Sequence, residues 1–231
     1  MGSIYLIPVP LGGNDYLKVI PEKVLELTRS LRYFIVEDVR SARRYLRLID
    51  KRFPIDECEF FELNEHTPIS ETEHFLDPVL SGSDLGLMSE AGLPGVADPG
   101  ALVVALAHRK KISVKPLAGP SSIILALVSS GLNGQNFTFN GYLPVKPAER
   151  SLRLRELMKR GKEGYAQIFM ETPYRNQQML ESVMNTCEPG AMLCIAADLT
   201  LPSESVRTMR IADWRKNPPD LKGKLVIFIL Q

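Results

Sequence analysis

The sequence predicts an α/β protein of two domains, the first with a mainly parallel sheet and the second with a mixed sheet that contains antiparallel pairing. The 231 residues, 45% of them hydrophobic, suffice for two cores. As far as residue 117, short apolar runs alternate with helical patterns, whereas strand-like runs outnumber helical ones beyond it. We therefore expect the domains at residues 1–116 and 117–231.

The strands predicted in the first domain are short and continuously apolar, as is typical of a parallel sheet covered on both faces. They lie at residues 3–9, 33–36, 58–63, 85–88 and 112–117. The helices between them lie at residues 21–31, 41–51, 70–80 and 100–110. Ser41 is predicted to be the N-cap of the second helix.

The second domain combines strands with fewer helices. Strand-like runs lie at residues 137–143, 165–171, 191–197, 205–212 and 224–230, and helical patterns at 147–160 and 174–186. No helical pattern separates the last two strands. Because a parallel connection needs a crossover, usually a helix, we expect antiparallel pairing in this domain.

Composition and charge argue against a membrane-spanning protein, a secreted protein and a metal-binding protein. The net charge of +1 does not require a polyanionic partner, although local charge still matters. No apolar run approaches the roughly 20 residues that span a bilayer, and residues 1–20 lack a signal-peptide pattern. The three cysteines form no Cys-x-x-Cys pair or Cys/His cluster, so we expect reduced thiols, no metal site and a cytoplasmic location.

Three loops rich in glycine and proline follow predicted strands. They are "PVPLGGN" (8–14), "SEAGLPGVADPG" (89–100) and "AGPSS" (118–122), the last of which opens a helix. Ligands of open α/β sheets bind where strands end, and glycine lets a ligand approach the backbone. The alternative is ordinary turn chemistry. Neither a G-x-G-x-x-G nor a P-loop motif is present, which argues against the usual nucleotide sites.

Several motifs occur together in one order: "EDVR" (37–40), "SEAGLPGVADPG", "PLAGPSS", "FTFNGYLP" and "FMETPYR". The chain thereby resembles the tetrapyrrole-methylase superfamily and, within it, the ribosomal small-subunit RNA 2′-O-ribose methyltransferase family. That family shows E-D-T-R, S-D-A-G-T-P-x-x-S-D-P-G, P-G-P-S-A, F-x-G-F-L-P and E-S-P-H-R. The resemblance implies S-adenosylmethionine (SAM) bound in a cleft between the two domains, a homodimer, and ribosomal RNA or the small ribosomal subunit as partner.

The resemblance also implies which residues contact SAM. By position these are Pro10, Gly92, Leu93, Val96, Ser121, Ser122, Met170, Glu171 and Leu199. The chain departs from the family in its first loop, where Val9 replaces a threonine and an extra glycine shifts the asparagine. Leu93 also replaces a threonine, and Tyr174 replaces a histidine. The family continues past its last strand with a segment that this sequence does not contain.

The best catalytic candidates are Glu37, Asp38 and Arg40, because charged groups at the end of a buried strand are costly unless used or paired. A ribose hydroxyl is a poor nucleophile and benefits from a base. The alternative is a structural ion pair at the start of the next helix. Asn64, Glu65 and His66 are weaker candidates, and His74 and His108 are predicted to be surface residues.

Two basic helix faces are candidates for RNA contact, led by Arg43 and Arg47 on one and Arg153 and Arg160 on the other. The full sets are Arg40, Arg43, Arg44, Arg47 and Lys51, and Lys146, Arg150, Arg153, Arg155, Lys159, Arg160 and Lys162. Either face can instead be simply solvated. The aromatic residues Tyr142, Phe169 and Tyr174 could stack on a base, but we expect them in the core.

The function predicted from these features is SAM-dependent 2′-O-methylation of a ribose in small-subunit ribosomal RNA. Two alternatives stay open. The same fold can methylate a small molecule such as a tetrapyrrole. The chain can also be a weakly active SAM-binding protein of ribosome assembly, which the changed first loop and the absent segment would favour. The sequence determines neither the acceptor nucleotide nor a single general base.

Overall fold

The computed structural model describes residues 1–64 and 66–231, and the chain divides into two compact units, Met1–Ser121 and Ser122–Gln231. The strands are β1 (Ser3–Leu6), β2 (Tyr33–Val36), β3 (Glu59–Glu62), β4 (Leu85–Met88), β5 (Ser113–Pro116), β6 (Phe137–Tyr142), β7 (Ala166–Met170), β8 (Met192–Ala197), β9 (Ser205–Arg210) and β10 (Val226–Leu230). The α-helices are α1 (Glu22–Ser30), α2 (Val39–Ile49), α3 (Ile69–Thr72), α4 (Asp77–Leu80), α5 (Gly100–Arg109), α6 (Ser122–Ser130), α7 (Pro147–Lys162), α8 (Asn176–Thr186) and α9 (Ile211–Lys216).

The first unit contains a five-stranded sheet in the order β3-β2-β4-β1-β5, and every pair in it is parallel. The predicted parallel sheet is therefore confirmed. Successive residues of its strands point to opposite faces, so Phe34 joins one core cluster and Ile35 the other. Helices α1 and α2 cover the first face, and α4 and α5 cover the second.

Strands β1 and β4 are neighbours, yet their connections leave the sheet in opposite directions. β1 leads through α1 to β2 on one side, whereas β4 leads through α5 to β5 on the other. The loops after these two strands thus diverge to opposite faces above one point of the sheet. Such a switch point is where open α/β sheets bind ligands.

The second unit contains a mixed five-stranded sheet in the order β6-β7-β10-β8-β9. Only β6 and β7 are parallel, and the other three pairs are antiparallel, which confirms the predicted mixed sheet. Its core includes Phe169 and Phe228, whose rings stack at 5.4 Å between centroids. The buried Trp214 donates from Nε1 to the carbonyl oxygen of Leu193 at 2.9 Å, so its one polar atom is paired.

Residues 70–80 do not form the single helix that the sequence predicts. Helix α3, a 3-10 turn at His74–Leu76 and helix α4 follow one another there. Pro78 accounts for the break, because proline donates no N–H and so cannot continue the helical hydrogen bonds of the preceding turn. It is accommodated in the first turn of α4, where the missing N–H has no intrahelical partner to lose.

The prediction that no helix separates the last two strands is wrong, since α9 lies between β9 and β10. Helix α9 has six residues, of which Ile211 and Trp214 are buried. A segment of this length is too short to show a clear helical period in the sequence. The antiparallel pairing inferred from that prediction exists nevertheless. Strand β9 pairs with β8, and β10 lies between β7 and β8.

Candidate active site

Three loops meet above the switch point of the first sheet. The loops after β1 and β4 are joined by an isolated antiparallel bridge, in which Val9 and Gly92 exchange backbone hydrogen bonds of 2.9 and 3.1 Å. A Cβ added to Gly92 would lie 3.2 Å from Leu11 and 3.5 Å from the carbonyl oxygen of Pro120, which belongs to the loop after β5. The three glycine- and proline-rich loops singled out from the sequence are therefore neighbours within the first unit.

Asp98 fixes the conformation of the long loop after β4. Its Oδ2 accepts from the backbone N–H of Gly95 at 2.8 Å, and its Oδ1 accepts from that of Gly100 at 2.6 Å. Gly95 has φ +85°, a backbone conformation that favours glycine. Burial raises the pKa of Asp98, although the backbone N–H groups of Gly100, Gly95 and Val96 oppose the rise. Sequence reasoning missed this residue. The available signal is that Asp98 stands two residues before α5, near a helix start, where aspartate oxygens often accept from backbone N–H groups.

Glu37 lies directly after β2 and reaches the loop after β4. Its Oε2 accepts from the backbone N–H of Glu90 at 3.2 Å. Burial raises the pKa of Glu37 and the carboxylates of Glu90, Asp98 and Asp38 raise it further, against the hydrogen bond from Glu90. Glu37 and Asp98 line the same small concavity, together with Met88 and Ser89. A partly desolvated carboxyl group at a strand end is suited to accept a proton.

Asp38 is the N-cap of α2, which corrects the prediction that Ser41 caps this helix. Its Oδ1 accepts from the backbone N–H of Ser41 at 2.6 Å, and this bond holds the pKa of Asp38 below its ordinary value. Ser41 fails as the cap because α2 begins two residues before it, at Val39, and an N-cap must precede the first turn. Arg40 is exposed in that first turn.

The remaining residues that the resemblance assigns to SAM in the first unit surround the same loops. Pro10 and Leu93 are half-buried, Gly92 is buried with φ +73°, and Val96 is exposed. Ser121 ends the first unit and is half-buried. Ser122, the first residue of α6, begins the second unit.

In the second unit, the candidates Met170, Glu171 and Leu199 lie at one edge of the sheet, where β6, β7 and β8 end. Met170 closes β7 opposite Ile227, and β8 ends at Ala197 beside Val226, so β10 links the two ends. Glu171 and Leu199 follow these ends and are buried. The sheet therefore brings Leu199 to the same edge as Met170 and Glu171, from which it is distant in sequence.

The buried Glu171 forms an ion pair with the half-buried Arg175. Its Oε2 accepts from Arg175 Nη2 at 2.8 Å and from the backbone N–H of Thr172 at 2.6 Å. Three buried atoms of this short stretch have no protein partner: Glu171 Oε1, Arg175 Nε and Asn176 Oδ1. Most buried polar groups are paired, so this concentration marks the segment as one with capacity to bind further groups.

The weaker candidates separate in the structure. Asn64 is half-buried and His66 is exposed, while Glu65 lies outside the described residues. His74 and His108 are exposed on the surface, as predicted, and His74 Nδ1 lies 3.3 Å from Asp77 Oδ2. Among residues 1–64 and 66–231, no three His, Cys, Asp or Glu side chains are grouped to hold a metal ion.

The basic face of α2 is exposed. Its buried residues Ala42, Tyr45, Leu46 and Ile49 leave the opposite side to arginines. Arg43 lies over the Phe60 ring at 5.3 Å, and Arg47 donates to the carbonyl oxygen of Lys51 at 3.0 Å. Both keep exposed side chains, so this face is available to a polyanion.

The basic face of α7 is smaller than its sequence suggests. Arg150 is fully buried and donates to Ser182 Oγ at 2.9 Å and to the carbonyl oxygen of Val145 at 3.0 Å, so it cannot contact phosphate. The helical spacing of Arg150 places it with the buried Leu154 and Leu157. Arg153 pairs with Glu156 at 2.8 Å and donates to Asn140 Oδ1 at 2.9 Å, while Arg160 is exposed.

Of the three aromatic residues expected in the core, only Phe169 is buried there. Tyr142 is 55% exposed and Tyr174 is 94% exposed, so the expectation is wrong for both. Tyr142 ends β6, and Tyr174 lies in the turn closed by the hydrogen bond from Arg175 N–H to the Thr172 carbonyl oxygen. With Pro173 before it, Tyr174 occupies the tip of a turn, which points away from the core.

The chain is similar along nearly its whole length to known methyltransferases. The ribosomal RNA small subunit methyltransferase I of Vibrio cholerae is 30% identical over 230 residues, 98% of this chain and 76% of the relative. The protein of the same name from Xylella fastidiosa is 30% identical over 232 residues, 99% of this chain and 81% of the relative. No protein-family model matches the sequence.

The fold matches a solved structure as well. The crystal structure of the methyltransferase CobJ has a TM-score of 0.65 at 16% identity and covers 100% of this chain and 94% of its own. A likeness at this identity shows the two-unit α/β fold alone. No helix in the described part of the chain has the length and apolar character to cross a membrane.

Proposed function

Because this chain belongs to the ribosomal RNA small subunit methyltransferase I family, we propose that it transfers a methyl group from SAM to a ribose 2′-hydroxyl of small-subunit ribosomal RNA. The observation that carries the proposal is the match to methyltransferases of that name over 98% of the chain. An acceptor in the ribosome also implies that the protein works in the cytoplasm. The chain is thus a methyltransferase, and the donor and acceptor are the proposed part.

The loops above the first sheet fit SAM as the methyl donor. Gly92 and Gly95 have positive φ, and space is open beside Gly95, so a ligand can lie against backbone there. We assign donor binding in this unit to Pro10, Gly92, Leu93, Val96, Ser121 and Ser122, and in the second unit to Met170, Glu171 and Leu199. SAM supplies an activated methyl group on a sulfonium, and transfer is an in-line displacement that depends on positioning.

Glu37 is the residue that we assign as the general base. The Asp38 carboxylate is already used to cap α2. Arg40 is protonated at neutral pH and cannot accept a proton, so Glu37 is the remaining candidate. Burial raises the pKa of Glu37, which strengthens it as a proton acceptor for a ribose hydroxyl. Arg40 is left to contact the RNA backbone.

RNA binding is assigned to the exposed basic faces. Glu37 lies just before α2, and Arg43 lies in the second turn of that helix, so RNA bound to Arg43 would lie near the end of β2, while Arg47 extends the basic face to the last turn. Arg153 and Arg160 of α7 form the second face, although Arg153 already has two protein partners. Contacts of this kind make binding sensitive to salt.

The experiment that tests the proposal is methyl transfer from radiolabelled SAM by the purified protein. Protein-free small-subunit RNA and a protein-free extract of small metabolites are offered in parallel. We expect label in the RNA. Label in the metabolites would support a tetrapyrrole-like acceptor, and no label with intact SAM binding would support a ribosome-assembly protein. Light scattering of the same sample tests the proposed homodimer.

A further inference from the structure

We infer that the turn after β7, Thr172 to Arg175, binds single-stranded RNA, with the Tyr174 ring stacked on a base and Arg175 beside a phosphate. This inference rests on the proposed function, since it concerns how the same enzyme holds its RNA. It assigns RNA contact to residues other than those of the basic faces of α2 and α7.

The exposure of Tyr174 is the first observation. At 94%, it is the most exposed of the large hydrophobic side chains in the described part of the chain, ahead of Met1 at 74%. The hydroxyl of an exposed tyrosine forms hydrogen bonds with water, but exposure of its apolar ring contributes no favourable free energy. Base stacking on aromatic rings accepts any base, so such a ring suits a single strand.

The support of the turn is the second observation. Arg175 keeps 34% of its side chain exposed, whereas the side chain of Glu171, its partner at 2.8 Å, is fully buried. The buried carboxylate therefore orients the guanidinium from below, while the outer part of Arg175 faces solvent. Glu171 Oε1 and Arg175 Nε are buried without protein partners, so a phosphate can reach only the exposed 34% of the Arg175 side chain.

The charge around the turn is the third observation. The loop before β10 is tied to it by two hydrogen bonds, from Gly223 N–H to the Pro173 carbonyl oxygen at 3.2 Å and from Asn176 Nδ2 to the Lys224 carbonyl oxygen at 2.7 Å. This loop carries Lys222, which is exposed, and Lys224, which is half-buried. Asp220 is the acidic residue of the same loop, and its Oδ1 accepts from the Lys222 N–H at 3.0 Å. An aromatic ring among cations matches a nucleotide better than it matches an apolar protein surface.

The position of the turn is the fourth observation. It starts two residues after Met170, at the sheet edge that also carries Leu199. These are residues assigned to the methyl donor, and the acceptor nucleotide must come to the donor. A stacking residue beside them would hold an unpaired nucleotide near the residues assigned to the donor.

The test compares four proteins: wild type, Tyr174→Ala, Tyr174→Phe and the control Tyr165→Ala. Tyr165 is 40% exposed and lies at the opposite end of β7. Binding of a fluorescein-labelled single-stranded RNA 12-mer of mixed sequence is measured by anisotropy, with the same sequence as a duplex for comparison. SAM affinity is measured by calorimetry and the oligomer mass by light scattering.

We expect Tyr174→Ala to weaken single-strand binding by about tenfold or more, since one base stack is lost. Tyr174→Phe keeps the ring and should remain within twofold of wild type, as should Tyr165→Ala. Duplex binding and SAM affinity should not change. Replacing Lys222 and Lys224 together by glutamine should flatten the salt dependence of single-strand binding.

The inference is overturned if Tyr174→Ala binds the single strand within twofold of wild type, or if Tyr174→Phe loses as much as Tyr174→Ala. A changed oligomer mass with unchanged RNA affinity would make the turn a protein contact and overturn it equally. Methylation of small-subunit RNA by the wild type is followed in parallel. Methylation without a Tyr174 effect on binding refutes this inference alone, whereas Tyr174-dependent binding without methylation refutes the proposed function alone.

Discussion

The carboxylate of Glu37 accepts a hydrogen bond from the backbone N–H of Glu90 at 3.2 Å. This contact joins the end of β2 to the loop that follows β4, and so connects the proposed general base to the loop assigned to the methyl donor. Glu37 is thereby held by the loop that we assign to donor binding. We therefore expect the proposed acid–base chemistry and donor binding to be coupled through this hydrogen bond.

Replacing Glu37 by glutamine should reduce methyl transfer about 100-fold or more, because the amide cannot accept the ribose proton. SAM affinity should remain within a few-fold of wild type. Initial rates with RNA acceptor and calorimetry with SAM measure the two quantities. A Glu37→Gln protein that methylates at the wild-type rate would remove Glu37 from the chemistry.

The rate should also depend on pH in a direction that follows from Glu37. The base acts when deprotonated, and burial raises the pKa of Glu37. As the pH is lowered, the rate should therefore begin to fall at a higher pH than it would with an ordinary glutamate. The raised pKa of Glu37 also means that folding disfavours its ionised form. At neutral pH, burial of the ionised carboxylate therefore lowers the stability of the folded state. Glu37→Gln should therefore melt at or above the wild-type temperature at pH 7, and a clear fall would show that the charge stabilises the fold.

Replacing Asp98 by alanine should weaken SAM binding by about tenfold or more, because the Gly95 and Gly100 N–H groups lose their acceptor and the loop loosens. The matched control is Asp84→Ala. Asp84 Oδ1 accepts from Ser3 N–H at 2.8 Å, at the edge of the same sheet where β1 and β4 begin. Calorimetry should show normal SAM affinity for the control, and equal losses in both variants would indicate general destabilisation.

Asp38→Ala should lower the free energy of unfolding by about 1 kcal/mol through loss of the α2 cap, whereas Asp38→Ser should retain most of it. The hydrogen bond from Ser41 lowers the pKa of Asp38, so its contribution is complete at neutral pH. It is lost as the pH falls through the lowered value, below the ordinary 3.8. Urea unfolding at pH 7 and pH 3 measures the loss of stability in each variant and its dependence on pH. Loss of methylation in Asp38→Ser without loss of stability would give Asp38 a catalytic part.

Reversing the charge of Arg43 and Arg47 together should weaken RNA binding by about tenfold or more and flatten its salt dependence. SAM affinity should be unchanged. Arg109→Glu with Lys110→Glu is the control, because it makes the same change in charge at the far end of α5. Anisotropy across a salt series compares the two, and equal effects would mean that net charge alone governs binding.

Some elements could be predicted to the residue and others could not, for identifiable reasons. Tyr33–Val36 and Leu85–Met88 are unbroken apolar runs between polar residues, so their limits are visible in the sequence. Pro78 breaks a helical pattern that otherwise continues. Helix α9 has six residues, fewer than two full turns, and so shows no clear period.

Some residues of the candidate site could likewise be predicted from the sequence, whereas others could not. The three glycine- and proline-rich loops could be located because turn residues mark strand ends, and the structure brings them together. Asp98 and Arg175 could not be chosen, because their importance lies in contacts made only in the folded chain. The sequence places Arg150 on a basic face, because spacing alone cannot distinguish a buried arginine that has neutral partners from an exposed one.

The most direct measurement is the identity of the methylated nucleoside. Small-subunit RNA is incubated with the wild-type protein and radiolabelled SAM, digested to nucleosides and separated by chromatography. We predict label in a single 2′-O-methylated nucleoside, and about 100-fold less label when Glu37→Gln replaces the wild type. Label on a base, or in no nucleoside while SAM is bound, would contradict ribose methylation by this protein.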